Sequence, residues 1–281
     1  MSDRPYVFDT TDYHGELTRL RAIEGVFDAG TRKCLLATGV CAGWSCLEVG
    51  AGAGSIAAWL SETVAPDGHV VAVDLNARFL SGLAAPNLSV HEADIRTAAL
   101  RSESFDLVHA RFVLIHMPQW TEALAVMLAA LKPGGWLVLE EPDFSMSRSL
   151  AGDPDLKRSF DNVHKAIEAM FSQRGMDYAF GARLPTVLQE RHLEDISIEN
   201  DSAIVCGGSP HALMMAMSTS ALGDKYIATK LAAAGDIERY ARFAAKPACW
   251  ATYHATIRAV ARKARPYMHR SGQQAHAADA T

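Results

Sequence analysis

The stretch Leu47-Glu48-Val49-Gly50-Ala51-Gly52-Ala53-Gly54, with Asp74 closing the apolar run Val70-Val71-Ala72-Val73, constrains this chain more than any other feature. A short apolar strand, a glycine turn, a helix and a second strand ending on a carboxylate form a βαβ unit. Glycines let the backbone pass close to a ligand at the carboxyl end of the first strand. The acid stands twenty residues beyond Gly54, where it can accept hydrogen bonds from both hydroxyls of a ribose. The glycine spacing is Gly-x-Gly-x-Gly, which differs from the Gly-x-Gly-x-x-Gly of dinucleotide-binding turns.

Beyond this unit the alternation continues. Helical patterns are expected near Ala77–Leu83 and Thr121–Leu131, and strands at Leu88–His91, Phe105–Ala110 and Trp136–Glu140. Before it, one helix is expected over Glu16–Asp28 and a second over Thr31–Thr38. On the first, Leu17, Leu20, Ile23, Val26 and Phe27 share a stripe that also takes in Glu16, with Arg19 at its edge. That pair either faces a ligand or reaches water from a frayed helix end. Alternating β and α segments predict an α/β fold, a Rossmann-like doubly wound, mostly parallel sheet, here with a helical cap.

Taken in order, Glu48 with the glycine turn, Asp74, the later acid Asp94 in His91-Glu92-Ala93-Asp94-Ile95, the segment Phe105–Arg111 and Leu131-Lys132-Pro133-Gly134-Gly135-Trp136 resemble one known series. It is that of the class I S-adenosylmethionine (SAM) dependent methyltransferases, in particular the small-molecule branch. The resemblance covers residues 30–145 strongly and the rest loosely. It implies SAM as cofactor and S-adenosylhomocysteine as product. Glu48, Gly50, Ala51, Gly52 and Gly54 would cradle the methionine half, Asp74 the ribose, and Leu75 would lie against the adenine. Asp94 would take the adenine amino group beside Ile95, while Ala110 and Arg111 would approach the methionine moiety. For Asp94, capping of a helix is the structural alternative.

The resemblance also orders the chain into an amino-terminal arm and helix acting as a lid (1–30), a SAM-binding core (31–145) and a cap with remaining strands (146–268), and the Ala-, Gln- and His-rich composition of 269–281 predicts a disordered tail. No N-P-P-Y type tetrapeptide follows the fourth strand, where His109-Ala110-Arg111-Phe112 stands instead. This disfavours adenine or glutamine amino groups as acceptors. A small, partly apolar organic metabolite is expected, with O-methylation ahead of N- or C-methylation. A SAM-binding protein that does not methylate, such as a cyclase, is the alternative reading. A nicotinamide-dependent oxidoreductase would need a Tyr/Lys or His/Asp set that is not found.

His116, in Leu114-Ile115-His116-Met117-Pro118 beyond the fourth strand, is the catalytic candidate. An imidazole titrates near neutrality and can take a proton from an acceptor, or it can simply shape the pocket. For substrate contacts the candidates are Tyr13 and His14 in the arm, Glu141 and Asp143 after the fifth strand, and Phe171 and Met214 in the cap. Capping, exposure or ordinary core packing would account for each of these as well.

Charge and cysteines narrow the partners. Lys and Arg number 27 against 32 Asp and Glu, for a formal charge of −5. That balance argues against a nucleic-acid surface, and the cationic piece Arg258–Arg265 reads as a solvated face. No run of about 20 apolar residues is present to span a bilayer. The five cysteines form no C-x-x-C pair, so no metal site is expected and a reduced, cytoplasmic setting fits. A homodimer is compatible with the mobile arm and apolar cap.

Overall fold

A computed structural model describes residue 8 and residues 12–265. The remaining positions of the expected arm, and the expected tail at 269–281, lie outside the described residues. The chain runs α1 (Tyr13–Ala37), β1 (Ser45–Val49), α2 (Ser55–Val64), β2 (His69–Asp74), β3 (Leu88–Glu92), β4 (Phe105–Arg111), α3 (Trp120–Ala130) and β5 (Leu131–Asp143). It continues through β6 (Arg148–Ala151), α4 (Pro154–Gln173), α5 (Phe180–Glu190), β7 (Glu194–Asp201), β8 (Val205–Cys206) and α6 (Pro210–Ala221). Helices α7 (Gly223–Ala228) and α8 (Ala234–Ala245) and strands β9 (Trp250–Thr252) and β10 (Ala255–Arg262) complete it.

Seven strands form one sheet in the order β3-β2-β1-β4-β5-β10-β7. β1 to β5 run parallel, and β10 inserts antiparallel between β5 and β7. The chain winds outward from β1 to β3 and then crosses back to β4. This reversal opens a crevice at the carboxyl ends of β1 and β4, the place where open α/β sheets bind ligands. A second sheet, β6-β9-β8, stands beside the first. Over the crevice α4 packs on α8, α8 on α6, and α6 on α1. No helix among the described residues is long and apolar enough to cross a membrane.

Three elements differ from the sequence expectation. The two helices expected at the start are one, α1, begun by Asp12, whose carboxylate accepts from the Gly15 amide at 2.9 Å. Gly30 does not break it. A Cβ there would lie 2.5 Å from the Arg258 guanidinium, so this glycine makes room for a cross-packed cation. The expected helix at Ala77–Leu83 shrinks to a 3-10 turn, Ala77–Phe79, after which Leu80 and Leu83 fold down over Gly54. β5 extends three residues past Glu140 because β10 pairs with it from Trp136 to Asp143. Glu141 and Asp143 are therefore strand residues. Arg258, expected on a solvated face, is 3% exposed, because β10 is an interior strand.

Candidate active site

The glycine turn leaves β1 with Gly50 at φ +70° and enters α2 through Gly54 at φ +94°. Both values lie in the left-handed region that suits glycine. A Cβ on Gly50 would come within 2.4 Å of Val113, and one on Gly54 within 2.3 Å of Leu83. The turn is tied to β2 by Asp74. Its carboxylate accepts from the Gly52 amide and from the Asn76 amide, each at 2.9 Å. Burial raises the Asp74 pKa against the pull of those two donors.

A cavity of about 680 Å³ opens over this turn. Glu48, Gly50, Ala51, Gly52, Asp74, Leu75, Asp94, Ile95 and Arg111 line one part of it, and His116, Phe171 and Met214 another. The structure thus gathers twelve of the residues singled out from sequence around one space. Glu16 and Arg19 line it too. They are 4% and 5% exposed and joined by a two-pronged ion pair at 2.9 and 2.6 Å, so the pair faces the cavity and the frayed-end alternative falls. Phe8 lies over the Arg19 guanidinium at 3.7 Å.

Six expected site residues do not line the cavity. Gly54 is covered by Leu80 and Leu83. Ala110 is fully buried inside the sheet. Tyr13 and His14 belong to the first turn of α1, where Tyr13 stacks on Phe79 at 5.1 Å. Asp143 is buried and caps the turn Phe144–Met146 through the Ser145 amide. Glu141 is fully buried and accepts from the amides of Val113, Leu114 and Ile115 at 3.2, 2.8 and 3.2 Å. Burial pushes its pKa up to about 8 against those three donors. Its job is to hold the loop that carries His116. Glu141→Ala is expected to cost about 2–3 kcal/mol by stranding buried amides, read as a lower melting temperature. An unchanged melting temperature would mean that other groups hold that loop.

Two cavity residues expected at the cofactor also hold protein partners. The Arg111 guanidinium turns to α1, donating to Asp28 at 3.0 Å and to Thr31 at 2.7 Å. The Asp94 carboxylate is gripped by the Arg96 fork, which lowers its pKa. His116 is partly buried, and desolvation together with Arg19 and Arg174 brings its pKa down to about 3. It is therefore a neutral ring at neutral pH.

Beneath the turn runs a buried chain of charges. Glu48 bonds His109 Nδ1 at 2.7 Å, His109 Nε2 meets Glu140 at 3.1 Å, and Glu140 accepts from Arg258 at 2.9 Å. Arg258 then reaches Asp201 at 3.0 Å. Burial alone would lower the His109 pKa, but Glu48 and Glu140 outweigh it and raise it to about 9. Sequence reading missed this chain, and also Glu24, whose carboxylate accepts from the Ser55 amide at 3.0 Å. It also missed Phe144 and His254 on the cavity wall.

Comparison with known proteins follows the same outline. Residues 47–139 match the family described as the methyltransferase domain. The chain is 32% identical over 159 residues to methyltransferase str3 of Strobilurus tenacellus, covering 54% of each chain. It is 35% identical over 112 residues to the ubiquinone/menaquinone biosynthesis C-methyltransferase UbiE of Pseudomonas putida, covering 37% of this chain and 44% of that one. The chain spans about half the length of the curated relatives it matches. The fold is shared with a phosphoethanolamine N-methyltransferase of Haemonchus contortus (TM-score 0.59, 16% identity, 92% of this chain and 59% of that one).

Proposed function

We propose that this chain, a member of the methyltransferase domain family through residues 47–139, transfers a methyl group from SAM to a small, partly apolar organic acceptor, on oxygen. One observation carries the reading. A single cavity joins the glycine turn and the Asp74 carboxylate to a chamber walled by rings and methionines. Its volume of about 680 Å³ falls in the range of roughly 300–1,000 Å³ typical of small-molecule sites. The left-handed glycines leave the turn bare of side chains, and Asp74 presents an anion where ribose hydroxyls would donate. The residues present fit the cofactor.

In this reading Asp74 holds the ribose and Leu75 and Ile95 flank the adenine. Asp94, braced by Arg96, faces its amino group. Glu48 keeps the turn in place from below through His109. Bound SAM supplies an activated methyl group, and the protein aligns acceptor, methyl and sulfur. His116, a neutral, partly buried ring on the cavity wall, helps orient the acceptor, whose hydroxyl proton passes to solvent as the methyl group is taken up. Exclusion of water by Phe8, Phe144 and Phe171 sharpens that alignment.

Calorimetric titration with S-adenosylhomocysteine, with NAD as control, tests the cofactor assignment. Micromolar binding of the former alone is the expected result, and binding of neither by folded, ligand-free protein would overturn it. Once an acceptor is in hand, His116→Ala is expected to slow transfer by roughly 100-fold through lost alignment of the acceptor while leaving S-adenosylhomocysteine affinity unchanged. An unaltered rate would reduce His116 to a wall residue.

A further inference from the structure

The chain passes from the small sheet to the large one at Tyr253-His254, between β9 and β10. Ala255 pairs with Asp143 at the carboxyl end of β5, so this corner lies at the sheet edge that also carries the glycine turn. His254 is 3% exposed and lines the cavity. Neither of its ring nitrogens has a hydrogen-bond partner among the described residues. Burying polar nitrogens without partners costs free energy, so such a group in a ligand cavity points to a bond made when the ligand arrives.

The surroundings say what kind of ligand. His254 is boxed by rings, with Phe144 at 5.3 Å (53° between planes), Phe27 at 5.8 Å and Phe112 at 6.0 Å (84°). From Phe144 the row continues to Phe171 at 5.9 Å and from there to His116 at 6.3 Å. Of this set, Phe112, Phe144, Phe171 and both histidines face the cavity. Rings at these separations already pack on one another, so together they present a continuous aromatic wall against which a flat ring can lie. Met214 and Met215, from α6, supply an adaptable apolar wall. Burial, with His211 and His164 nearby, holds the His254 pKa well below the usual imidazole range. A neutral ring offers one donor and one acceptor.

We infer that His254 is the polar anchor of the acceptor pocket, hydrogen-bonding the hydroxyl of a planar aromatic ligand held along the Phe144–Phe171 row. The assignment rests on the methyltransferase reading and deepens it by naming aryl alcohols as the acceptor class. His254 acts here as a binding and specificity residue.

The test uses 2-naphthol and its near-isostere 2-methylnaphthalene, titrated into the full chain with S-adenosylhomocysteine present. Wild type is expected to bind 2-naphthol roughly five- to tenfold more tightly than 2-methylnaphthalene. His254→Phe keeps the ring packing and should erase that preference while holding 2-methylnaphthalene within about twofold. His254→Gln restores a hydrogen-bonding group and should retain part of the preference. A preference that survives in His254→Phe overturns the inference. So does its absence in wild type, or failure of both compounds to bind. If His254→Phe does not fold, wild type and His254→Gln decide, and a preference absent from the latter counts against the anchor. Failure of S-adenosylhomocysteine to bind, with the naphthol preference intact and dependent on His254, would sink the cofactor reading and leave the aryl subsite standing.

Discussion

Asp74→Ala is expected to weaken S-adenosylhomocysteine binding by two to three orders of magnitude. Two hydroxyl donors onto one carboxylate are charge-assisted bonds worth about 1.5–3 kcal/mol each. Their loss together amounts to about 3–4 kcal/mol, allowing for partial replacement by water. The substitution also frees the Gly52 and Asn76 amides that the carboxylate now holds at 2.9 Å, so the turn loses its brace as well as its ligand contact. Calorimetry on wild type and variant, with a melting curve to establish that both are folded, reads the effect. Affinity within about fivefold of wild type would remove Asp74 from the ribose site. Asp74→Asn separates the two contributions, since an amide oxygen can keep one backbone donor but carries no charge.

The second large effect concerns stability and not binding. His109→Leu is expected to destabilise the fold by about 3–5 kcal/mol, because it leaves Glu48 and Glu140 buried without the cation between them. The same chain makes stability depend on pH. With its folded pKa raised to about 9 against about 6.5 for a free imidazole, His109 contributes fully below the lower value. That contribution, about 3 kcal/mol, fades as pH rises through the upper one. Wild type should therefore melt at a clearly lower temperature at pH 9.5 than at pH 6.5. Denaturation of His109→Leu should show a much flatter response over that window. An equal slope in both proteins would mean that His109 is neutral when folded.

How much was legible in the sequence follows the distance over which each contact acts. The glycine turn and Asp74 belong to one βαβ unit, twenty residues from glycine to acid, and local pattern was enough to place both on the cavity. His116, Phe171 and Met214 were placed by their position after strands and along helices, and the cavity includes all three. Glu141 and Asp143 were misplaced because the strand that extends β5 comes from residues 255–262, over a hundred positions away. Arg258 was misread for the same reason: on its own it belongs to a cationic run, and only register sets it against Glu140. The His109 chain depends on Glu48 pairing with His109 across β1 and β4, which no periodicity reveals. His254 was invisible because its importance arises at a corner between two sheets. The continuous α1 was hidden by Gly30, a residue that reads as a stop until the guanidinium packed on it is seen.

The antiparallel placement of β10 also bears on how the chain is made. Synthesis delivers β1 to β5 first, and these parallel strands can begin to assemble with β5 as a temporary edge. Strand β7, the next of this sheet to emerge, has no neighbour to pair with until β10 arrives, since β10 alone separates it from β5. Only then does Glu140 meet Arg258. Pairings over such long sequence separation are slow to form and leave unpaired edges exposed while they wait. A nascent chain stalled before residue 255 would thus present the raw edges of β5 and β7 to the ribosome's surroundings. Strand β10, the last of the described strands, is the one that closes them.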